Sequence, residues 1–467
     1  MKSIITLFLC FNVCLQISGT THVPESLYSI PKIQSVEERH DPACGKYYRC
    51  LIEQPYDHDF PERGTFLQQI YILHRSDSAA VVFVTTGGKL ASPCWSETAD
   101  LLQANQVMIE TRYCGESIPS QGINWNTLTM RQIASDIHTI IDQLKKALYS
   151  HNYLITTGNK QGGLESLFHA RYHPGDVHQT ILYNTPLCTD SPDKRMTRYQ
   201  VNLGKGGKLF SGGGLKLGTG NAGFSFFPTT SELNYTIKDF QTYCLKNQNT
   251  LLPFFEKYCT EQGYTFQRVT SSRRALQLCI LQYRPAFFSK AISKELIPDK
   301  DYDNPGFYVE HLVSVADPSL FCDSSILAQE PIAWLSLNET GYYQHYTQPF
   351  RKLLFKDISD RSYLYTPDMQ TTTVKFRREQ IKELTKWIQH EARNIIFIYG
   401  LLDIYSAARI EKKKNRSCTL LVSPVQGNNC RMDKFDNGTY YYLKDLIFSR
   451  YQKLKKNTPN LPYENRV

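Results

Sequence analysis

The sequence predicts an α/β fold, a mostly parallel sheet covered by helices on both faces, and three observations lead there. Apolar runs of strand length recur, helical patterns lie between them, and the runs are continuous rather than alternating, as strands buried on both faces are. The runs are "QQIYILHR", "AAVVFVTTG", "NQVMIETRY", "NYLITTG", "QTILYNTP", "NIIFIYG" and "CTLLVSP"; helical patterns such as Leu128 to Leu148 and Gly163 to Tyr172 separate them. A chain of 467 residues is long enough for a sizeable core and an inserted domain.

The elements follow in order. The opening "MKSIITLFLCFNVCLQISGTT" has one early lysine, an apolar run from Ile4 to Ile17 and small residues after it, the layout of a signal peptide spanning 1–19 and cleaved near Gly19. Its run is shorter than the roughly 20 apolar residues a bilayer span needs. The strand-rich segment 40–189 is the first part of the sheet domain. Across 190–377 the alternation gives way to aromatic, cysteine-bearing helical patterns such as "IKDFQTYCLKNQNTLLPFFEKYC" and "RRALQLCILQY". A helical insertion between late strands is a cap, placed over the strand ends where such sheets bind ligands. Within it the glycine-rich stretch 203–223 reads as a mobile loop, since no packed core can be built from it. The sheet pattern resumes over 378–467.

A signal peptide implies a secreted chain, with no membrane partner after cleavage, and predicts disulfides and glycans. Cys10 and Cys14 leave with the leader, so eleven of thirteen cysteines remain, an odd number. Short loops suggest Cys44 with Cys50, Cys244 with Cys259, and Cys418 with Cys430. Sequons at Asn234, Asn338, Asn415 and Asn437 are expected on the surface. The formal charge of +9 comes with no nucleic-acid motif, so no nucleic-acid partner is expected. "EKKKNR" and "RYQKLKK" read as solvated faces. No cysteine and histidine spacing resembles a zinc site, and neither metal nor cofactor is expected.

The segment "YLITTGNKQGGLESL", Tyr153 to Leu167, reads as a strand that breaks on glycine and re-forms at once as a helix. That is the layout of a nucleophile elbow, in which a serine stands between two glycines. Here Gly158 and Gly162 flank Lys160. "FIYGLLDIYS" places Asp403 after a buried strand, where a triad acid belongs, although without further context a helix N-cap is the favoured reading of it. The triad histidine belongs in the loop "QGNNCRM" after the next strand, yet no histidine follows Asp403. Gln161 N–H and the backbone at Gly88 in "TTGGK" are the candidate oxyanion donors. Lys160 is expected to pair with Asp403 or to reach solvent; a neutral, nucleophilic lysine is the competing reading. His138, His169 and His173 lie on helices outside the triad loop and are expected to be structural or surface residues.

From about Gly45 to Tyr451 the chain resembles the secreted serine tripeptidyl aminopeptidase family, α/β-hydrolase peptidases related to prolyl carboxypeptidases. The resemblance rests on Glu110, Arg112, Tyr113, Ser117 and Pro119, on Trp125, Leu128, Thr129, Gln132, Ala134, Asp136 and His138, and on "NETGYYQHY" and "IYGLLDIYSA". It implies an α/β-hydrolase sheet with the helical cap between late strands. Residue by residue, Lys160 stands where the family has its serine, Asp403 where it has its acid and Asn429 where it has its histidine. Gln161 replaces a lysine, and Ile404 and Tyr405 replace proline and tryptophan. The implied function is an inactive aminopeptidase-like protein whose cleft still takes peptides or polypeptide N-termini; the alternative is an active serine-type tripeptidyl aminopeptidase with a non-standard site.

Overall fold

The computed structural model describes residues 23–203, 231–299, 304–364 and 375–457. The expected leader and the glycine-rich stretch from 204 onward lie outside the described residues. Nine strands form one sheet: β1 (Ile33–Asp41), β2 (Gly45–Pro55), β3 (Thr65–Leu73), β4 (Val81–Thr85), β5 (Asn105–Ile109), β6 (Leu154–Asn159), β7 (Gln179–Tyr183), β8 (Ile395–Gly400) and β9 (Cys418–Ser423). Their order is β1-β2-β3-β5-β4-β6-β7-β8-β9. The first three strands and β5 pair antiparallel. From β5 to β9 every neighbour is parallel.

The continuous apolar runs are explained by alternate side chains entering two different cores. On β4, Val81 and Phe83 join one buried cluster and Val82 the other; on β8, Ile395, Phe397 and Tyr399 divide from Ile396 and Ile398 in the same way. The first face is covered by α1 (Val23–Tyr28), α3 (Met130–Ala147), α4 (Gln161–Tyr172) and α12 (Arg378–His390). The second is covered by α2 (Glu97–Leu102) and α13 (Asn437–Asn457). All seven strands read from the sequence are present, and β1 and β2 are additional.

Between β7 and β8 the chain is helical: α5 (Lys194–Asn202), α6 (Ser231–Lys246), α7 (Gln248–Glu261), α8 (Ser272–Ser289), α9 (Pro305–Val315), α10 (Asp323–Ala328) and α11 (Glu330–Leu335). Most of these build a core of their own around Phe240, Phe255, Tyr283 and Phe287. No helix among the described residues is long and apolar enough to cross a membrane.

Two sets of expectations need correction. All eleven described cysteines are free thiols. Cys418 opens β9 and packs into the core on the first face of the sheet, whereas Cys430, beyond the strand's far end, packs into the core on the second, so the sheet separates the two thiols. Cys50 sits mid-strand in β2, again several extended residues from Cys44. Cys244 and Cys259 are buried in successive helices without bonding. Among the sequons, Asn338 is buried and its amide donates to the Trp334 carbonyl at 2.9 Å. The Asn415 amide donates to the carbonyls of Ile388 (2.7 Å) and Ala392 (2.9 Å). Asn234 has its Nδ2 enclosed and its Oδ1 taken by Arg284. Asn437, at the start of α13, is the exposed one.

Candidate active site

The site begins with backbone geometry. Lys160, between β6 and α4, adopts φ 52° and ψ −113°, a region that costs an L-residue energy and that an elbow apex requires. Its N–H donates to the Tyr183 carbonyl at 3.0 Å and its carbonyl accepts from Leu164 N–H at 3.0 Å. Glycine makes the turn possible by allowing contact. A Cβ on Gly162 would lie 2.1 Å from the Thr85 carbonyl oxygen, and one on Gly87 would lie 2.3 Å from Gly162 N. The end of β4, the elbow and the start of α4 therefore touch through bare backbone.

The second half of the site is the turn after β8. Asp403 is fully buried; its Oδ1 accepts from Tyr405 N–H at 3.1 Å, capping the short helix Ile404–Ala408. Its Oδ2 lies 3.1 Å from Lys160 Nζ. The ammonium also sits 4.7 Å from the centre of the Tyr405 ring. Asp403 thus serves both as a cap and as a charge partner.

Above these residues lies a cleft of about 710 Å³ between sheet and cap, lined by Lys160, Gln161 and Asp403 below and by Gln282, Tyr343 and Arg361 above. Tyr343 Oη donates to Gln282 Oε1 at 2.8 Å, and His345 Nε2 lies 2.9 Å from the same oxygen. Burial pushes the His345 imidazole down to about 3, so it is neutral.

Two site expectations shift by one residue. Asn429 is exposed, and Asn428 lines the cleft, its carbonyl accepting from the Asn184 amide at 3.2 Å. The wall beside the elbow is Thr86 and Gly87 rather than Gly88, whose carbonyl accepts from Thr111 N–H at 3.0 Å. Gly87 N–H points at Glu165 Oε2, 3.3 Å away, which leaves the Gln161 amide as the remaining expected donor at the cleft.

The residues that carried the family resemblance lie beneath the cleft and hold its loops. Glu110 accepts from Ser117 N–H (2.9 Å), Ser117 Oγ (2.6 Å) and Leu90 N–H (2.8 Å). Arg112 forks onto Asp136, Nε to Oδ2 at 2.7 Å and Nη2 to Oδ1 at 2.6 Å, with both side chains fully buried. Burial raises the Asp136 carboxyl, but Arg112 and His58 outweigh it and hold it below the usual range. Glu339 accepts Met130 N–H at 2.8 Å and pairs with Arg377 at 2.8 Å, fastening the cap to the start of α3. Glu165, one turn along α4, accepts from Thr111 Oγ1 at 2.7 Å; burial pushes its carboxyl up to about 7.

The sequence reading missed the role of Glu165, whose only signal is its place four residues after the elbow's Gln161. It expected no metal site; one donor atom from each of His138, His173 and Asp176 falls within 4.8 Å of the other two, with His138 brought from α3, far in sequence from the close pair His173 and Asp176.

A capped, mostly parallel sheet with an elbow and an acid turn at its strand ends defines a peptidase-like α/β-hydrolase. Residues 19–207 match the family described as PS-10 peptidase S37. The chain is 28% identical to the prolyl tri/tetrapeptidyl aminopeptidase of Streptomyces mobaraensis over 403 residues, covering 82% of this chain and 75% of that one. Both likenesses make the tripeptidyl aminopeptidases the proteins to which this chain is similar in sequence. Overlap with solved structures is loose: the proline iminopeptidase of Mycobacterium smegmatis aligns at TM-score 0.40 and 10% identity, covering 86% of this chain and 99% of that one. VinJ aligns at TM-score 0.40 and 8% identity, covering 86% and 98%.

Proposed function

We propose that the protein is a non-hydrolysing member of this family, exported after loss of its leader, that holds peptides in the cleft without cutting them. The observation that carries this reading is the Lys160 ammonium at the elbow apex, 3.1 Å from Asp403. Its Nζ is engaged by that carboxylate and lies 4.7 Å from the centre of the Tyr405 ring, the placement of a charge partner and not of a group aimed at a substrate carbonyl. Amide hydrolysis also needs an acid to protonate the leaving amine. His345 lines the cleft but is engaged with Gln282, and no serine hydroxyl among the described residues is hydrogen bonded to a histidine ring; Ser314 Oγ reaches only the His311 backbone carbonyl. Loss of the triad costs serine peptidases about six decades of rate.

The cleft itself is retained. Its volume lies within the roughly 300–1,000 Å³ of ligand pockets, and the Gln161 amide, Tyr343 and Arg361 offer polar contacts to a peptide backbone. The test pairs chemistry with binding on the purified chain. A fluorophosphonate probe should label nothing and a proline-containing tripeptide anilide should not be turned over, while a fluorescent tripeptide binds saturably and is displaced by its unlabelled form. Stoichiometric labelling of any serine, or failure of every tripeptide to bind, overturns the proposal.

A further inference from the structure

The end of α4 remote from the elbow carries a second constellation. Twelve residues at 1.5 Å each put it about 18 Å from the Lys160 apex, outside the cleft. His169 and His173 are spaced i, i+4 at this end. His138 comes from the adjoining α3, and Asp176 from the turn that follows, whose backbone N–H donates to the His173 carbonyl at 3.3 Å. Asp176 Oδ2 lies 2.7 Å from His138 Nδ1 and 2.9 Å from His169 Nε2. The His138 and His173 rings stack 4.2 Å apart at 9°. One donor atom from each of His138, His173 and Asp176 falls within 4.8 Å of the other two.

We infer that His138, His173 and Asp176 bind a divalent first-row transition-metal ion, with Zn²⁺ the fitting occupant. Two imidazole nitrogens and one carboxylate oxygen suit Zn²⁺, whereas Mg²⁺ and Ca²⁺ take all-oxygen shells. Tetrahedral Zn²⁺ with bonds near 2.1 Å needs donors about 3.4 Å apart, so closing on the ion takes side-chain rotation of about 1.5 Å at most. The needed freedom is present: the His138 side chain is 43% exposed and Asp176 18%, so the ion has an open approach from solvent. His169 is fully buried and donates to the carboxylate, the kind of support that fixes a metal ligand's orientation. All ion-pair partners of Asp176 among the described residues are these histidines; no lysine or arginine competes for its oxygens. Three protein ligands leave one position for water. The distance from the cleft makes the ion a clip between α3 and the turn after α4, stabilising the fold and taking no part in peptide binding.

The test uses the full chain without an affinity tag, stripped with a chelator and titrated with ZnCl₂. One equivalent should bind, Tm should rise, and EDTA should reverse the rise. Cobalt should bind at the same stoichiometry with the visible band of a tetrahedral site. His173→Ala and Asp176→Asn should each weaken Zn²⁺ binding by about tenfold or more, and His169→Gln by about tenfold. His138→Gln, at a half-exposed position where folding is not at risk, should do the same, and the exposed His151→Ala should change nothing. Absence of saturable binding, binding that survives His138→Gln and His173→Ala, or preference for Mg²⁺ or Ca²⁺ overturns the assignment.

Discussion

Lys160 holds a backbone conformation that a non-glycine residue occupies at a cost of about 1–3 kcal/mol, which persists when its surroundings over-determine it. Here the Tyr183 carbonyl, the α4 hydrogen bonds and the Asp403 carboxylate do so. Because Asp403 is buried, Lys160→Met should destabilise the protein by about 2 kcal/mol, a buried-pair value discounted for the lysine's partial exposure. Lys160→Met with Asp403→Asn should recover part of that loss in urea denaturation, and a double-mutant cycle with no coupling would refute the pairing. Rebuilding a triad tests the shifted loop: Lys160→Ser with Asn428→His should gain fluorophosphonate reactivity that Lys160→Ser with Asn429→His does not, since Asn429 faces solvent.

Glu165 gives a pH test at the same scale. Its folded value of about 7 lies above the ordinary 4.5, so the native state keeps its proton longer than the unfolded chain. Its contribution is complete below about pH 4.5, falls as pH rises towards 7, and then levels off, a span worth about 3 kcal/mol. Stability of wild type minus that of Glu165→Gln should fall across this window; a flat difference would show the carboxyl to be ionised throughout.

At the scale of elements, legibility followed patterning. Five of the seven strands that could be read, β4 to β8, are buried on both faces, which writes a continuous apolar run; β3 and the edge strand β9 are only partly covered but keep apolar runs of strand length. β1, "IQSVEERHD", is an edge strand with most of its residues exposed or half-buried, so it carries charges and reads as loop. β2 alternates and was lost for want of a partner to recognise beside it. The elbow was legible because its glycines are demanded by contact, and this sets a prediction. Gly162→Ala must displace the Thr85 carbonyl and should cost about 3 kcal/mol or more, whereas Gly175→Ala, with open space around it, should be near neutral by the same denaturation assay. The one-residue shift from Asn429 to Asn428 was not legible, since two adjacent asparagines differ only in which way a loop turns.

Across the whole molecule, the sheet domain, with a core on each face, and the cap, with a core of its own, face each other over the cleft. Neither relies on a covalent staple among the described residues, so a reductant should leave Tm unchanged and alkylation of denatured protein should find every described cysteine reduced. A drop of several degrees on reduction would mean that a bridge forms after all. The disulfide guesses failed because loop length sets the entropy of closure, not whether two side chains meet.

The burial of Asn338 has a consequence in time. In an exported chain, sugar is transferred to sequons while the polypeptide is still emerging and unfolded, before Trp334 has claimed the amide. Folding and glycosyl transfer therefore compete for one nitrogen, and a molecule modified there cannot seat Asn338 or bring its neighbour Glu339 onto α3. Such molecules would be held back by quality control. Glycopeptide mapping should find the Asn437 glycan on released protein and the Asn338 glycan confined to the retained fraction, so the sequon's yield becomes a clock for how fast this segment folds.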